Sequence, residues 1–381
     1  MKKKNLLKND AVQSLLASLG CIVFGLLVGY VVLLFIQPKG AGKAILTIIE
    51  NFFTYNRAET QMKYLGSTLV KTAYKVGLFN IGAAGQYVVG SCASLYAALA
   101  WGWSWLPCML FAVAAGMAAG AIVGLLKTFC NVNEVISGIM LNWIFLYATN
   151  MILTNVKEVA SPYTYQMHSA AQQALLPSLG LDKLFSGNQY VTIAIPLAIL
   201  MAILVWVVLE KTRFGYELKA TGFNKHAAKY CGMAERRNTV LTLAIAGGLA
   251  ALGGSLLYQT GYEQWQCTHS SVPNMGFNGI CAAFLGGLNP IGAIFSSFFI
   301  QHITSGGAYV DKSLYCSQIS DLITAIIIYM CGFVLFLKTV MNNSAARREE
   351  RQRLAAGSAD NAPETAPASD PEREAASPQA P

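Results

Sequence analysis

Apolar residues in this chain gather in long runs that short polar segments separate. Nine runs stand out, at residues 11–36, 86–104, 107–126, 135–153, 191–209, 239–258, 277–288, 290–309 and 319–337. Most of them approach the length of about 20 residues that an α-helix needs to cross the hydrocarbon core of a bilayer. The pattern therefore predicts an all-α polytopic membrane protein.

The region 64–85 is predicted to be a tenth, truncated crossing. Basic segments lie at both ends of the chain, and ends on the same side of a membrane require an even number of crossings. Lys63, Lys71 and Lys75 make this region a poor spanning helix, because a charge at the bilayer centre costs about 3 kcal/mol on insertion scales. The alternative is that one of the nine clear runs is re-entrant.

Composition and charge set the expected orientation. Hydrophobic residues make up 54% of the chain, charged residues only 12%, and the net charge is +8. The cations cluster at residues 1–10, in the loop 210–238 and after residue 337, so they flank spans and do not form a nucleic-acid-binding face. Both termini and the loop 210–238 are thus expected in the cytoplasm, and the cation-poor loop 154–189 outside.

The transmembrane domain is expected to cover residues 11–337. Residues 338–381 are rich in alanine, proline and charge and have no apolar periodicity, so they are predicted to form a disordered cytoplasmic tail. The segment "GAGKA" at 40–44 lacks the spacing of a phosphate-binding loop, and neither zinc-ligand spacing nor a serine nucleophile elbow occurs. The chain is therefore predicted to be no enzyme, with no metal site.

The stretch "GLFNIGAAGQ" at 77–86 interrupts the apolar pattern with three glycines, Asn80 and Gln86. Irregular backbone at membrane depth is tolerated where it is buried in protein or lines a cavity, and broken helices often border transport pathways. The competing interpretation is that the glycines only allow close helix packing. The residues alone leave both open.

A second interruption, "NMGFNGICAAFLGGLNP" at 274–290, contains Gly-Phe-Asn-Gly at 276–279, so Phe-Asn among glycines occurs twice in the chain. Paired interruptions in two halves of a transporter often mark the pathway. The match is short, and chance similarity is the alternative. Asn142, deep in the run 135–153, either lines such a path or joins two helices through hydrogen bonds.

Two further segments predict local structure. Gly116, Gly120 and Gly124 are spaced by four in an alanine-rich run, which predicts a seam for close helix contact. In the loop segment 214–233, Asn224 is a candidate N-cap and Gly232 a candidate helix stop. A short capped helix in a basic loop suits docking to a soluble partner, whereas the alternative is an ordinary cationic loop.

Four segments together resemble a known family. "GLFNIGAAGQ", "NEVISGIMLNWI" (133–144), "GYELKATGFNKHAAKYCGM" (215–233) and "GFNGICAAFLGG" (276–287) are similar to the permease subunits of ATP-binding cassette importers for nucleosides and simple sugars. The resemblance is closest to nucleoside permeases that work with basic-membrane-protein-type lipoproteins. It extends from the first run to about Leu337 and excludes the tail.

The resemblance implies about ten transmembrane helices in two related halves, with broken or re-entrant segments, in the plasma membrane. It also implies three partners besides lipid: a cytoplasmic ATPase subunit that binds ATP, a second homologous permease, and an extracytoplasmic substrate-binding lipoprotein. No cofactor is expected on this chain, and no nucleic acid. The expected function is nucleoside import.

The matching segments also suggest which residues serve transport. The translocation path is expected at Phe79, Asn80, Gln86, Asn142, Phe277 and Asn278. Coupling to the ATPase is expected at Gly222, Asn224, Ala227, Ala228, Tyr230 and Gly232.

One departure from the family concerns the second span, because "STLVKTAYKVGLFN" at 67–80 lacks the apolar stretch that usually precedes the Gly-Leu-Phe-Asn motif.

The alternatives to a nucleoside permease are a permease for ribose-like sugars and an ion-coupled secondary transporter that uses Glu134 or Asp321. A membrane scaffold without transport is a third, which only the shortened span favours.

Overall fold

The computed structural model describes residues 10–73, 80–311, 313–316, 318–333, 336, 339–340 and 343–344. The chain divides into two units, Met1–Leu335 and Phe336–Pro381. The few described residues of the second unit are helical and exposed. The predicted disordered tail therefore lies almost entirely outside the described residues.

The described part is built from fifteen α-helices. Its first unit contains α1 (Asp10–Ile36), α2 (Ala41–Glu50), α3 (Ala58–Ala73), α4 (Ala83–Leu99), α5 (Trp105–Phe129), α6 (Glu134–Leu153), α7 (Met167–Ala170), α8 (Leu181–Leu184), α9 (Ala194–Lys211), α10 (Arg213–Phe223), α11 (Lys225–Tyr230), α12 (Glu235–Gln259), α13 (Asn274–Leu285), α14 (Pro290–Gly306) and α15 (Ile319–Cys331). The only extended pairing within the described ranges is two isolated bridges, Lys157 with Thr164 and Tyr163 with Gln266. The predicted all-α class is confirmed.

Five described helices are long and apolar enough to cross a membrane. They are Leu16–Ile36, Trp105–Phe129, Glu134–Val156, Ala194–Lys211 and Glu235–Gln259. The chain is thus a polytopic membrane protein, but the predicted number of ten crossings is not confirmed. The run predicted at 277–288 forms α13, whose 12 residues rise about 18 Å, less than the ~30 Å hydrocarbon core.

The centre of the bundle is the predicted glycine seam, which packs α5 against α12. A Cβ atom at Gly116 would lie 2.2 Å from the Cβ of Ala251, and one at Gly120 would lie 2.1 Å from the carbonyl oxygen of Leu243. Across the seam, a Cβ atom at Gly247 would lie 2.3 Å from the carbonyl oxygen of Gly116. The two backbones therefore touch, and only glycine fits.

Helix α4 completes this core by the same means. A Cβ atom at Gly90 would lie 2.4 Å from the Cα of Ala251, and one at Gly254 would lie 2.6 Å from the carbonyl oxygen of Tyr87. Helices in lipid have no hydrophobic driving force for association, so close approach of this kind stabilises the contact through van der Waals packing. The three helices α4, α5 and α12 form one tightly packed unit.

The predicted long loop folds into an ordered structure, here called the cap and defined as residues 157–190 and 260–273. Trp265 is fully buried in it, and its Nε1 donates to Asn150 Oδ1 at 3.0 Å. Asn150 Nδ2 in turn donates to the carbonyl oxygen of His269 at 2.9 Å. The two halves of the cap join where Thr164 N donates to the Trp265 carbonyl oxygen at 2.9 Å. The cap is thereby fixed to the end of α6.

Helix α3 packs against this cap. Asn188 Nδ2 donates to the carbonyl oxygen of Lys63 at 2.8 Å, and the Lys71 ammonium lies 5.0 Å from the centroid of the Tyr262 ring. Burial raises the pKa of the neighbouring Glu263 carboxyl, and the charge of Lys71 opposes that rise. Of the three lysines named for the predicted second span, Lys71 thus contacts side chains of the cap. Residues 74–79 lie outside the described residues, so the truncation of that span stays a prediction.

Helices α13 and α14 form a hairpin. Gly287 and Leu288 have φ angles of 68° and 58°, which reverse the chain between the two helices. A Cβ atom at Gly286 would lie 2.5 Å from the amide nitrogen of Ala293, and Ser296 Oγ donates to the carbonyl oxygen of Ala282 at 2.5 Å. The turn thus packs α13 directly against α14, and the re-entrant alternative stays a prediction.

The glycine seam yields a stability prediction. Gly120→Ala places a methyl group against the Leu243 carbonyl and should lower the free energy of unfolding by about 1–3 kcal/mol. The melting temperature of the purified protein in detergent, followed by tryptophan fluorescence, measures this.

Gly20→Ala in α1 is the matched control, because nothing lies within 4 Å of a Cβ atom at that position. Alanine favours a helix over glycine, so this variant should melt at the same temperature or higher. Equal melting of the Gly120→Ala variant and the wild type would contradict the packing described for the seam.

Candidate translocation site

Helix α4 begins inside the bundle, and a side chain of α6 satisfies its first turn. The amide nitrogen of Gly85 donates to Asn142 Oδ1 at 2.8 Å, and Asn142 Nδ2 donates to the carbonyl oxygen of Ile81 at 3.1 Å. Asn142 lies eight positions after Glu134, or about 12 Å along α6. Asn142 therefore joins two helices, one of its two predicted roles, at the start of α4.

Asn80 and Gln86 complete this polar cluster. The amide nitrogen of Gly82 donates to Asn80 Oδ1 at 3.0 Å, and Asn80 Nδ2 donates to Gln86 Oε1 at 2.5 Å. The exposed fractions of Asn80, Gln86 and Asn142 are 6%, 0% and 2%. The Nε2 atom of Gln86 has no hydrogen-bond partner among the described residues. The cluster is thus buried, neutral and incompletely satisfied.

The second interrupted segment touches the first. A Cβ atom at Gly276 would lie 2.4 Å from the Cα of Ala84, so α13 packs backbone to backbone against the first turn of α4. Pro273 precedes α13, whose N-terminus has no side-chain cap. The positive ends of two helix dipoles therefore meet inside the bundle, where they favour an electron-rich group.

The predicted path residues fall into three groups. Asn80, Gln86 and Asn142 form the polar cluster. Phe277 and Asn278 follow Gly276 on α13, where Phe277 is exposed and Asn278 is half-buried. Phe79 lies outside the described residues.

Sequence reasoning missed one contributor to this site, Gly138. A Cβ atom there would lie 3.1 Å from the amide nitrogen of Gly82, so a side chain would displace the start of α4 by a few tenths of an ångström. Gly138 precedes Asn142 by four positions within the segment 133–144, and that spacing puts both on one helix face. The four-residue spacing of Gly138 and Asn142 is the sequence signal from which Gly138 could have been predicted.

The predicted coupling loop forms two short helices, α10 and α11. Asn224 Oδ1 accepts from the amide nitrogens of His226 and Ala227, each at 3.0 Å, which confirms the predicted N-cap. At the other end, Gly232 has φ 76°. Its amide donates to the carbonyl oxygen of Lys229, and that of Met233 donates to the carbonyl oxygen of Ala228. This is a Schellman stop at the predicted glycine.

A hydrogen bond holds this helical pair on α12. Asn238 is fully buried, and its Nδ2 donates to Thr221 Oγ1 at 3.2 Å. Ala228 is also buried, whereas the other predicted coupling residues are exposed: Gly222, Asn224, Ala227, Tyr230 and Gly232. Phe223 and Tyr230 have exposed fractions of 90% and 93%. The pair thus presents two aromatic side chains, and its coupling role stays a prediction.

The two acidic residues that an ion-coupled mechanism would use both lie in the first turn of a helix, and neither is buried. Glu134 forms an ion pair with Lys127 at the start of α6, and both side chains are partly exposed. Asp321 is exposed in the first turn of α15. Among the described residues, no group of three His, Cys, Asp or Glu side chains could hold a metal ion.

A bundle of apolar helices with an interrupted, polar centre is the architecture of a membrane transport subunit. The family of permease components of branched-chain amino acid transport systems matches residues 65–332 of this chain. The chain belongs to this permease family. Members work with an ATPase and a substrate-binding protein, as the resemblance implied.

Named relatives refine the comparison. The guanosine ABC transporter permease protein NupP of Bacillus subtilis is 33% identical over 73% of this chain and 80% of its own length. The nucleoside ABC transporter permease protein NupB of Lactococcus lactis is 28% identical over 89% of this chain and 96% of its own length. The glucose ABC transporter permease protein TsgB13 of Haloferax volcanii is 26% identical over 69% and 71%. No solved structure matches.

The contact between α4 and α6 makes a testable prediction. Asn142→Leu removes the acceptor of the Gly85 amide and the donor to the Ile81 carbonyl, so the first turn of α4 should open more often. Each of these two hydrogen bonds is worth about 1 kcal/mol, so their loss predicts roughly fivefold to thirtyfold faster hydrogen–deuterium exchange for amides 81–86. Mass spectrometry of the protein in lipid nanodiscs measures it.

Asn133→Leu is the control in the same helix. Asn133 Oδ1 caps α6 by accepting from the Val135 amide nitrogen, and its loss should affect only the start of α6. If exchange at 81–86 stays at the wild-type rate in the Asn142→Leu variant, the anchoring role of Asn142 is wrong.

Proposed function

We propose that this chain is the membrane-spanning permease subunit of an ATP-binding cassette importer that carries nucleosides across the plasma membrane. One structural observation carries the proposal: two interrupted helices, α4 and α13, meet at Ala84 and Gly276 beside a buried cluster of neutral amides. Amide side chains suit an uncharged solute with many hydrogen-bonding groups. The names of NupP and NupB support nucleosides as that solute.

The helices α10 and α11 would dock on the ATPase subunit, and ATP would be bound and hydrolysed there. This chain performs no covalent chemistry in the proposal and binds no cofactor. Its termini and the α10–α11 pair face the cytoplasm, where the positive-inside rule puts the basic loop. The cap then faces outward, towards the substrate-binding lipoprotein, and a second homologous permease completes the importer.

A sugar permease is the second candidate, because TsgB13 is named for glucose and also covers most of this chain. Neutral amides bind hydroxyl groups as well as nucleobases, so the cluster suits both solutes. The larger coverage of the nucleoside relatives favours the nucleoside.

Uptake by the reconstituted importer tests the proposal. Proteoliposomes that contain both permeases, the ATPase and the binding lipoprotein are given guanosine, uridine and ribose side by side. ATP-dependent accumulation of the nucleosides is expected, and it should persist with an uncoupler while ATP is maintained. Accumulation of ribose alone would select the sugar permease, and loss of uptake with the uncoupler would select the ion-coupled transporter.

The docking role of α10 and α11 predicts the effect of a bulky side chain. Gly222→Trp should fold, because nothing lies within 4 Å of a Cβ atom there, but its indole should obstruct the ATPase. We expect ATP-driven uptake to fall at least tenfold while the protein level is unchanged. Ala228→Trp is unsuitable, since Ala228 is buried.

Gly42→Trp is the matched control for this variant. It also has nothing within 4 Å of its Cβ position, but it lies on α2, away from the α10–α11 pair in sequence. It should retain uptake. Full uptake by the Gly222→Trp importer would show that α10 is not part of the docking surface.

A further inference from the structure

The orientation of the Gln86 amide is fixed by a chain of hydrogen bonds. The backbone amide of Gly82 can only donate, so the atom of Asn80 that it meets is the acceptor Oδ1. The other atom of the Asn80 amide group is then the donor Nδ2, and its partner in Gln86 must be Oε1. The Nε2 group of Gln86 is therefore the free end of the chain.

This free end is a buried donor without an acceptor. Gln86 is completely buried, and its Nε2 has no partner among the described residues. A Cβ atom at Gly82 would lie 3.2 Å from it, so glycine leaves this nitrogen next to bare backbone at the start of α4. Burial of an unpaired donor is costly, and such a group in a native protein calls for an explanation.

The helix ends around Gln86 make its surroundings electropositive. The N-terminus of α4 and that of α13 meet at Ala84 and Gly276, and α13 has no side-chain cap. Helix N-termini carry positive potential, even where their amides are bonded within the protein, as those of Gly82 and Gly85 are. The Oδ1 atoms of Asn80 and Asn142 and the Oε1 atom of Gln86 already accept hydrogen bonds. The site therefore offers the free donor Gln86 Nε2 in a positive potential, and few free acceptors.

We infer that Gln86 Nε2 donates to a carbonyl oxygen of the transported nucleobase and so selects oxo-bases over amino-bases. A carbonyl oxygen only accepts, which matches a site that offers donors, whereas a hydroxyl or amino group also needs an acceptor. Guanine, hypoxanthine and uracil carry such an oxygen, and adenine carries an amino group instead. This inference rests on the proposed nucleoside transport and assigns Gln86 a role in specificity.

Inosine and adenosine are the sharpest probes, because they differ at position 6 of the purine, where one has an oxo and the other an amino group. Both are supplied in competition to the reconstituted importer. In Gln86→Met, which keeps the length and removes the donor, the ratio of inosine to adenosine uptake should fall about tenfold or more. Gln86→Glu keeps an acceptor for Asn80 Nδ2 and should shift the ratio further towards adenosine, whose amino group donates.

Gln301→Met is the matched control, since Gln301 is a buried glutamine of α14 whose Nε2 has a partner, Ser305 Oγ. It should keep the wild-type ratio. An equal loss of inosine and adenosine uptake in both Gln86 variants, or an unchanged ratio, would overturn the inference and leave the nucleoside importer intact. If the wild-type importer carries ribose and neither nucleoside, the proposed function itself is wrong.

Discussion

The structure depends on how the chain satisfies the backbone amides at the start of α4, which lie inside the bundle where water does not compensate them. Asn142 and Asn80 accept from the amides of Gly85 and Gly82. Without these acceptors the helix would have to begin at a surface, since unpaired backbone groups at membrane depth are costly. Because α4 begins inside, the bundle has an interrupted centre, a feature typical of transporter folds.

Close packing of glycines makes the core next to this interruption rigid. Helix α12, which is interlocked with α5, also fixes the middle of α4 through contacts at Gly90 of α4 and Gly254 of α12. Its first turn is held differently, by two asparagines and by the small residues Ala84 and Gly276. A few hydrogen bonds and one short backbone contact rearrange more readily than a seam in which two helix backbones interlock. The start of α4 is therefore suited to rearrange while the core stays fixed.

Features that depend on local sequence were predicted well. The apolar runs, the seam at Gly116–Gly124, and the Asn224 cap with its Gly232 stop follow from periodicity and from the chemistry of single residues. Contacts between distant segments were not predicted, such as the burial of Trp265 within the cap and the contact of Lys71 with the Tyr262 ring. The unpaired donor Nε2 of Gln86 was not predicted either, because it results from hydrogen bonds that composition does not reveal.

The most direct measurement of the central claim, that solute meets the α4–α13 junction, is photolabelling of the assembled importer with 8-azidoguanosine during ATP-driven turnover. Labelled peptides are mapped by mass spectrometry. The label is predicted within residues 80–86, 138–142 or 274–278, and excess guanosine should prevent it. Guanosine-protected labelling that avoids all three segments would contradict the claim.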